Sequence, residues 1–298
     1  MSVINTNVSA MYSQNAMKTN ARAMSTAMEQ LSTGTRVNSA KDDAAGLAIG
    51  QNMTSQIKGL NQAVRNLNDG INMMQTAEGA MIEQSNMLQR MRELAVQSMN
   101  GTYSNTQRGY LDKEFQALSL QIGKIASDTM WNDQTLLDAS VNGSGSFTYQ
   151  AGMSSGQTIV VSIAAMGLDG LGLVSTTTFG SAAVVVSGST VSAAVEHRPS
   201  IDSFDHAIAT LGLISSALET INGRRAQIGA AINRMEYAAD NLTNISSNAT
   251  QSRSTIMDTD YALATTQLAK TQIIQQAATA MLAQANQQPQ SVMALLKG

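Results

Sequence analysis

The side chains of this sequence that could do metal or nucleophilic chemistry are few and poorly spaced. Its only histidines, His197 and His206, do not form the His-Glu-x-x-His pattern that places two zinc ligands on one helical face. The chain contains no cysteine, which excludes thiolate metal sites and disulfide bonds. It also has neither a glycine-rich phosphate loop nor the nucleophile elbow of hydrolases. These residues therefore argue against an enzyme.

Two carboxylate pairs could still suggest metal binding or acid–base catalysis. Asp42 lies beside Asp43, and Asp258 is separated from Asp260 by one residue. Both pairs precede helical patterns, and a carboxylate at the start of a helix accepts hydrogen bonds from unpaired backbone N–H groups. We therefore interpret them as helix caps and polar contacts, and we expect neither a metal nor a cofactor.

Composition favours a structural protein. Charged residues make up 13% of the chain and its net charge is −3, so neither the basic surface of a nucleic-acid-binding protein nor a polybasic membrane patch is present. Nineteen methionines accompany only four phenylalanines and one tryptophan, a balance that gives adaptable helix surfaces suited to packing against copies. The N-terminus lacks the features of a cleaved signal, and no apolar run is long enough to span a bilayer.

A heptad pattern predicts a long helix over about 43–99, which Ser39 would cap. A third helix, over about 105–130, should fold back antiparallel on it. A second long helix, over about 200–248, has a matching pattern and would be its partner. The apolar positions predicted to form this core are Met53, Ile57, Leu60, Val64, Leu67, Ile71, Met74 and Leu88 in the first helix, interrupted by Glu78 and Ser85, and Leu211, Leu218, Ile221, Ile228, Ile232 and Leu242 in the second.

The two ends of the chain predict weaker helices. The first, over about 5–31, should end at Gly34, and the last should precede a short apolar tail. Their spaced positions are mostly small or flexible residues: Ala10, Gln14, Met17, Ala21, Met24, Met28 and Leu31 at one end, and Ile274, Ala277, Ala278, Met281, Leu282 and Ala285 at the other. Such helices bury too little apolar surface to fold alone. We expect them to pair and to become ordered only among neighbouring copies.

Between the long helices, the period changes to that of β-structure. Strands are predicted around 147–152 and 157–163, with glycines on both sides, which indicates a hairpin. The segment 181–195 is also strand-like. The fold class predicted from these patterns is mainly α: a long antiparallel coiled-coil or helical-bundle rod with a small β-hairpin region and paired terminal helices.

Several long motifs, in the right order, resemble bacterial flagellin, the repeating subunit of the flagellar filament. They cover about 1–173 and 204–298. The matching motifs are Val3-Ile-Asn-Thr-Asn, Leu31-Ser-Thr-Gly, Val37-Asn-Ser-Ala-Lys-Asp-Asp-Ala-Ala-Gly-Leu-Ala-Ile, Leu88-Gln-Arg-Met-Arg-Glu-Leu-Ala-Val-Gln-Ser, Gly156-Gln-Thr-Ile, Asp258-Thr-Asp-Tyr-Ala, Gln272-Ile-Ile-Gln-Gln-Ala and Leu282-Ala-Gln-Ala-Asn-Gln-Gln-Pro-Gln.

The resemblance implies a domain organisation. The terminal segments, 1–42 and 256–298, would form the inner tube of the filament. Residues 43–173 and 204–255 would form the surrounding rod domain with its hairpin. Larger flagellins carry outer domains where this chain has only 174–203, so we expect a short surface excursion there.

The resemblance also implies a function and a set of partners. The chain would be an extracellular structural subunit, exported unfolded through the flagellar type III apparatus and polymerised at the filament tip. Its partners would be copies of itself, the export apparatus, an export chaperone, and cap and hook-associated proteins, with neither nucleic acid nor a membrane among them.

Two groups of site residues follow from the same resemblance. Gln89, Arg90, Leu94 and Glu114 match a family patch that packs neighbouring subunits and that a vertebrate Toll-like receptor recognises in a host. The inner-tube contacts would come from Met17, Met24, Leu31, Ile274, Met281, Leu282, Leu295 and Leu296.

Three other functions compete with this interpretation. A hook–filament junction protein shares the terminal helices, but continuous agreement over 31–50 and 272–290 favours the filament subunit. A secreted enzyme on a flagellin scaffold would need a catalytic motif in the middle of the chain, and none is present. A cytosolic coiled-coil module would explain the heptads but not the β insert.

Overall fold

A computed structural model describes residues 7–138, 145–173 and 199–297, with side chains up to Gln287 in the last helix. The described residues are mainly α-helical, which confirms the predicted fold class. The strand expected over 181–195 lies outside them. In chain order the elements are α1 Val8–Thr33, α2 Ala44–Ser98, α3 Asn105–Asp128, β1 Met130–Trp131, β2 Gln134–Thr135, β3 Ser146–Gln150, β4 Thr158–Ser162, α4 Phe204–Met257 and α5 Tyr261–Lys297.

Contacts divide the chain into two compact units. The terminal-helix unit comprises residues 1–58 and 245–298, and the long-helix unit comprises 59–244. Both divisions fall inside helices, the first in α2 and the second in α4. The domain boundaries predicted from the sequence fall after 42 and after 255. They lie closer to the start of α2 and the end of α4 than the divisions found in the structure do.

The start of α2 differs from the prediction. Asp43 lies at the cap position, and its Oδ1 accepts a hydrogen bond of 2.8 Å from the Gly46 amide. Ser39, predicted to be the cap, instead donates from its amide and its hydroxyl to Asp42 at 3.0 and 2.9 Å. The prediction was wrong because Ser39 closes a separate turn with Asp42 before the helix begins. The hydroxyl hydrogen bond of Ser39 lowers the pKa of Asp42.

The ends of α1 and the start of α3 follow local sequence rules. Asn7 caps α1 by accepting from the Ala10 amide, and α1 ends at Gly34 with φ of 72°, which confirms the predicted stop. Ser104 and Gln107 form a reciprocal capping box at the start of α3. These ends therefore require no tertiary contact to be specified.

Helix α3 lies antiparallel to α2, as predicted. Two buried polar side chains join them. The Arg108 guanidinium donates to the Ser98 carbonyl at 2.8 Å, and Gln84 Nε2 donates to the Ile122 carbonyl at 3.2 Å. The same Gln84 nitrogen donates to the Met166 carbonyl at 3.1 Å, so this amide also ties down the chain that follows the hairpin. The heptad analysis missed Gln84 because it followed apolar positions only.

Helix α4 runs antiparallel to α2 within the long-helix unit. Near the end of α2, the Ser98 hydroxyl donates to the Ile201 carbonyl just before α4 begins. Further back along α2, Glu78 lies 3.6 Å from Arg225 in α4. The polar interruption at Glu78 is thus a cross-helix ion pair, and the one at Ser85 is a buried serine.

The predicted core positions fall into two burial groups. Eight are buried: Leu60, Leu67, Ile71, Met74, Leu88, Ile221, Ile228 and Leu242. The others are half-buried, and among them Val64, Leu211, Leu218 and Ile232 belong to the long-helix unit, whereas Met53 and Ile57 belong to the terminal-helix unit. The buried group and its neighbours form one apolar cluster that also includes Phe115 and Ile122 of α3.

Two antiparallel hairpins follow α3. In the predicted one, β3 pairs with β4 from Ser146 opposite Ser162 to Gln150 opposite Thr158. The sequence analysis missed the other, in which β1 and β2 flank Asn132 and Asp133. Both turn residues have positive φ, 49° and 61°, which is the backbone of the tight turns that join two-stranded hairpins and is tolerated by Asn and Asp.

The C-terminal helices are longer than predicted. Helix α4 continues to Met257 instead of ending near 248, because no glycine or proline intervenes before Asp258. Helix α5 continues through Pro289 to Lys297, where an apolar tail was expected. The chain therefore breaks only briefly, between Met257 and Tyr261.

Candidate assembly surfaces

Helices α1 and α5 pair antiparallel in the terminal-helix unit. Asn7 Nδ2 donates to the Ala285 carbonyl at 2.9 Å at one end, and the Thr259 amide donates to the Gly34 carbonyl at 3.0 Å at the other. Small residues lie at the contact, since Ala27 of α1 and Ala264 of α5 are both buried.

The α1 side of this contact differs from the predicted spacing. The buried or half-buried positions that follow a three-and-four spacing are Ala10, Ser13, Met17, Asn20, Met24, Ala27 and Leu31, and Ala23, Thr26 and Gln30 are half-buried outside that spacing. Three positions in the predicted pattern, Gln14, Ala21 and Met28, are exposed. The alternation of threes and fours is correct but begins in the other order, because the contact with α5 admits the small or hydrogen-bonding residues Ser13 and Asn20. Met17, Met24 and Leu31 belong to both patterns.

The α5 side has the same period. Its buried or half-buried positions are Ala264, Leu268, Thr271, Gln275, Ala278, Leu282 and Ala285. Leu282 thus faces α1, whereas Ile274 and Met281, named with it from the sequence, are exposed. Leu295 and Leu296 lie beyond the side chains that the structure describes.

A stripe of large apolar residues remains uncovered on α5. Leu263, Ile274 and Met281 are 72%, 40% and 64% exposed. Leu263 and Met281 are separated by about five helical turns, so they share one face, and each stripe residue comes just before a position that faces α1. Ile273 beside them is 66% exposed. A monomer leaves this stripe in water.

A second apolar surface lies on α1. Met11 and Met28 are 57% and 55% exposed, and each comes just after a buried alanine that faces α5. In an antiparallel pair of right-handed helices, residues that follow the contact in one helix and residues that precede it in the other lie on opposite faces of the pair. The methionines of α1 and the stripe of α5 therefore face opposite directions.

Few charges interrupt these surfaces. Helix α1 carries only Lys18, Arg22 and Glu29, and between Tyr261 and Gln287 the only charged side chain of α5 is Lys270. Two copies can therefore approach without bringing many like charges together, and few ionised groups would be desolvated in a contact.

Backbone and side-chain hydrogen bonds join the segment after α1 to the end of α4 and to the short connection before α5. Thr35 and Asp258 form an antiparallel bridge, and the Arg36 guanidinium donates to the Ile256 carbonyl at 2.7 Å. Tyr261 lies against Gly34, so close that a Cβ on the glycine would come within 3.1 Å of the phenol oxygen. This junction has no side chain arranged for catalysis.

The carboxylate pairs have structural partners. Asp43 caps α2 and lies 3.7 Å from Arg36. Asp258 accepts a hydrogen bond from the Ser254 hydroxyl at 2.6 Å, and Asp260 caps α5 by accepting from the Ala262 and Leu263 amides. Over the described parts of the chain, no three His, Asp or Glu side chains gather into a group that could hold a metal ion.

His206 takes part in a polar cluster that is not a catalytic triad. Its Nδ1 lies 2.7 Å from Asp202 Oδ1 and 3.4 Å from Ser200 Oγ. In a triad, serine and aspartate contact opposite nitrogens of the imidazole, whereas here both meet the same one. The hydrogen bond to His206 lowers the pKa of Asp202. His197 lies outside the described residues.

The patch expected on α2 and α3 is partly exposed. Arg90 lies 2.9 Å from both Glu93 and Glu114, and hydrogen bonds to these carboxylates raise its pKa. Gln89 is exposed beside them. Leu94, placed in the patch by its sequence match, is only 1% exposed, because its side chain turns into the core of the long-helix unit. This correction restricts the exposed patch to polar residues.

In the portion of the chain that the structure covers, no helix has the length and apolar character needed to cross a membrane.

Two protein-family models match the chain. The bacterial flagellin N-terminal helical region matches residues 4–142, and the bacterial flagellin C-terminal helical region matches residues 211–296. Together they cover all five helices at least in part.

Similar proteins extend over nearly the whole chain. A flagellin of Halalkalibacterium halodurans is 40% identical over 295 residues, covering 99% of this chain and all of its own. Flagellin A of Vibrio anguillarum is 35% identical over 378 aligned residues, covering 99% of each chain. A solved flagellar hook-associated protein of Vibrio parahaemolyticus has a TM-score of 0.54 at 14% identity, covering 72% of this chain and 99% of its own, which is a likeness of fold alone.

Flagellins are structural proteins that polymerise into the extracellular filament of the bacterial flagellum and serve motility without catalysing a reaction. The family models and the identity over nearly the full length lead to one conclusion: this chain belongs to the bacterial flagellin family and is a structural subunit of the flagellar filament, not an enzyme.

Proposed function

We propose that this subunit is exported unfolded and is added at the filament tip, where the two apolar faces of the α1–α5 pair become contacts between copies. The observation that carries the proposal is the uncovered stripe Leu263, Ile274 and Met281 on α5. Large apolar side chains in water favour burial by about 25 cal/mol per Å² of apolar surface. A second copy of this chain is the occupant that a self-polymerising family supplies.

The arrangement of the two surfaces supports open-ended growth. The α1 methionines and the α5 stripe lie on opposite faces and consist of different residues. A contact between unlike surfaces leaves one of each free on the growing assembly, so addition can continue without closing into a dimer. A symmetric pairing through one surface would stop at two copies.

A matched pair of substitutions tests the surface. Ile274→Glu on α5 and Ile82→Glu on α2 each place a charge at an isoleucine of similar exposure, 40% and 38%. We expect Ile274→Glu to prevent elongation in seeded polymerisation followed by light scattering and electron microscopy, while Ile82→Glu still elongates. Normal filaments from Ile274→Glu would rule out the α5 stripe as a contact.

Amide hydrogen exchange tests coupled folding and assembly. Large side chains buried in the α1–α5 contact are few, whereas ordering each residue costs about 1–2 kcal/mol of backbone entropy. We expect fast exchange over 11–31 and 274–285 in the free chain and protection only in the filament. Slow exchange there in the free chain would contradict coupled folding.

Export without a cleaved signal is the second part of the proposal. Flagellin subunits typically leave the cell through the flagellar type III apparatus. We propose that an export chaperone aids this chain before export, and that it meets the cap and hook-associated proteins at the filament. Mass spectrometry of the extracellular chain should find an N-terminus at Met1 or Ser2. Processing beyond about residue 20 would contradict this route.

For the polar patch we propose subunit packing, with recognition by a Toll-like receptor in a host. Gln89, Arg90 and Glu114 carry this role, without Leu94. The exposure of the Arg90–Glu114 ion pair supports it. Arg90→Ala should weaken filament packing and receptor signalling, whereas Arg92→Ala, which removes a nearby exposed charge, should preserve both. Equal effects of the two changes would deny the patch a specific role.

A hook–filament junction protein is the alternative, because such proteins resemble flagellins in the pattern of their terminal helices. The products of polymerisation separate the two. Long uniform tubes grown from the purified chain indicate a filament subunit, whereas short assemblies that stop after one ring indicate a junction protein.

A further inference from the structure

The exposed methionines of this chain divide into two matched sets. Among the described side chains, five methionines are at least half exposed. Met11, Met28 and Met281 lie on α1 and α5, at 57%, 55% and 64% exposure, and Met130 and Met153 lie in the long-helix unit, at 53% and 50%. By contrast, Met74, Met81, Met91, Met166 and Met235 are fully buried.

We propose that Met11, Met28 and Met281 are oxidation sites whose conversion to the sulfoxide by a peroxide blocks polymerisation of the free subunit. This inference rests on the proposed contact role of α1 and α5. Met11 and Met28 lie on one face of the α1–α5 pair, and Met281 lies on the opposite face. Oxidation therefore affects both surfaces that are proposed to contact other copies.

The reaction needs only a peroxide. The methionine sulfur attacks one oxygen of hydrogen peroxide, a sulfur–oxygen bond forms and the oxygen–oxygen bond breaks. The departing hydroxide takes up the remaining proton and leaves as water. Sulfur is oxidised by two electrons and the peroxide is reduced by two, so no other reactant is required.

Oxidation changes what these surfaces can bury. A thioether packs as an apolar, adaptable group, whereas a sulfoxide is a strong hydrogen-bond acceptor. The stripe residues beside Met281 are Leu263 and Ile274, whose side chains offer no donor to it. A contact formed after oxidation would therefore bury an unpaired acceptor. In the filament the same sulfurs are covered, so oxidation acts on subunits before they are added.

Peptide mapping after limited treatment of the free chain with hydrogen peroxide measures which methionines react. We expect sulfoxide at all five exposed positions and little at the five fully buried ones. The critical concentration for seeded polymerisation should rise at least tenfold. Reduction by methionine sulfoxide reductases should restore it. An oxidised chain that polymerises like the untreated one would overturn the inference, as would a chain whose sulfoxides are removed and which still fails.

Leucine substitutions distinguish the two sets, since leucine keeps the apolar volume but cannot be oxidised in this way. Coupled folding leaves Met17 and Met24 of α1 open to peroxide in the free chain, so the variants are made in a background that carries Met17→Leu and Met24→Leu. In that background, the triple variant Met11→Leu, Met28→Leu, Met281→Leu should polymerise equally well with and without peroxide. The control variant Met130→Leu, Met153→Leu should stay as sensitive as the wild type. Resistance of the control variant with continued sensitivity of the triple variant would overturn the inference.

A different result would mark failure of the underlying assembly proposal. If Ile274→Glu elongates normally, the α5 stripe is not a contact between copies, and this conclusion holds for any effect of peroxide. If Ile274→Glu fails to elongate but the triple leucine variant remains sensitive to peroxide, the contact stands and the oxidation sites are wrong.

Discussion

Asn20 Nδ2 lies 2.8 Å from the Thr271 carbonyl oxygen across the contact between α1 and α5, and 3.1 Å from Gln275 Oε1. Asn20 is 8% exposed and sits at a heptad position otherwise suited to an alanine or a methionine. A buried asparagine at such a position fixes the register and orientation of paired helices at some cost in stability. This hydrogen bond therefore specifies how the two chain ends align.

Asn20→Ala should weaken the terminal pair. Removing the amide loses two hydrogen bonds, and we expect a loss of about 1–2 kcal/mol per subunit. Filament depolymerisation on heating, followed by light scattering, measures it. Gln14→Ala, an exposed change on the same helix, is the control. Equal depolymerisation temperatures for the two variants would show that the Asn20 contact does not stabilise the pair.

Leu67→Ala should destabilise the long-helix unit by about 2–5 kcal/mol, because it empties a fully buried position. Leu218→Ala should cost about half as much, since Leu218 is only half-buried. The heptad pattern alone did not distinguish the two leucines, since it placed both in the predicted core. Thermal unfolding of the monomer separates them, and an unchanged melting temperature for Leu67→Ala would contradict the packing of this core.

Gln84→Glu changes few atoms but should strongly lower the free energy of unfolding. The new carboxylate would replace a donor at 3.2 and 3.1 Å from two carbonyl oxygens, in a side chain with no exposure. An uncompensated buried charge costs about 3–5 kcal/mol. Denaturant unfolding at neutral pH measures the loss, with exposed Gln121→Glu as the control.

The same variant carries a pH signature. Burial raises the pKa of a carboxyl group above its unfolded value, because the charged form is disfavoured. The folded variant is therefore relatively most stable below the unfolded pKa, and it loses stability as the pH rises through the folded pKa. Gln84→Glu should recover toward the wild type near about pH 5. A constant difference between pH 5 and 8 would contradict the buried placement.

Two glycine substitutions should act in opposite directions. Gly34→Ala forces alanine into the left-handed region at φ of 72° beside the Tyr261 hydroxyl, at a cost of about 1–2 kcal/mol. Gly79→Ala, in the middle of α2 with no atom within 4 Å of the added carbon, should stabilise the helix by about 0.5–1 kcal/mol. Calorimetry of the filament reports the first change, and monomer melting reports the second. Destabilisation by Gly79→Ala would contradict the open space.

Tyr149 should ionise late. Burial raises its pKa to about 12, and its hydroxyl lies 3.2 Å from the Met73 sulfur. The burial of the neutral Tyr149 phenol stabilises the fold fully at a pH below about 10, the pKa of tyrosine in an unfolded chain. This stabilisation is lost as the pH rises toward 12, the pKa in the folded chain. Phenolate absorbance is measured at about pH 10.5 for the wild type and for Tyr149→Phe. The two proteins should differ little when folded, and they should differ more after unfolding in denaturant at the same pH. A large difference in the native chain would contradict the burial.

The sequence determined the elements whose specification is local. Heptad spacing predicted the long helices because a 3.5-residue repeat must place its apolar residues on one side of a helix wherever the partner lies. Gly34 predicted the end of α1 because few other residues adopt its backbone conformation without strain. Flagellin motifs near both ends then indicated the family without any knowledge of contacts.

Only the tertiary structure decided which side of each terminal helix is covered. Helix α1 contains several three-and-four spacings of small residues. Asn20 faces α5 and Ala21 does not, because Asn20 donates a hydrogen bond to Thr271 in a helix about 250 residues further along the chain. The role of Gln84 was decided in the same way, by carbonyl groups of α3 and of the chain after the hairpin. The burial of Leu94 was decided by the apolar cluster of the long-helix unit. Local sequence carries no information on such partners, because burial depends on which distant element lies opposite.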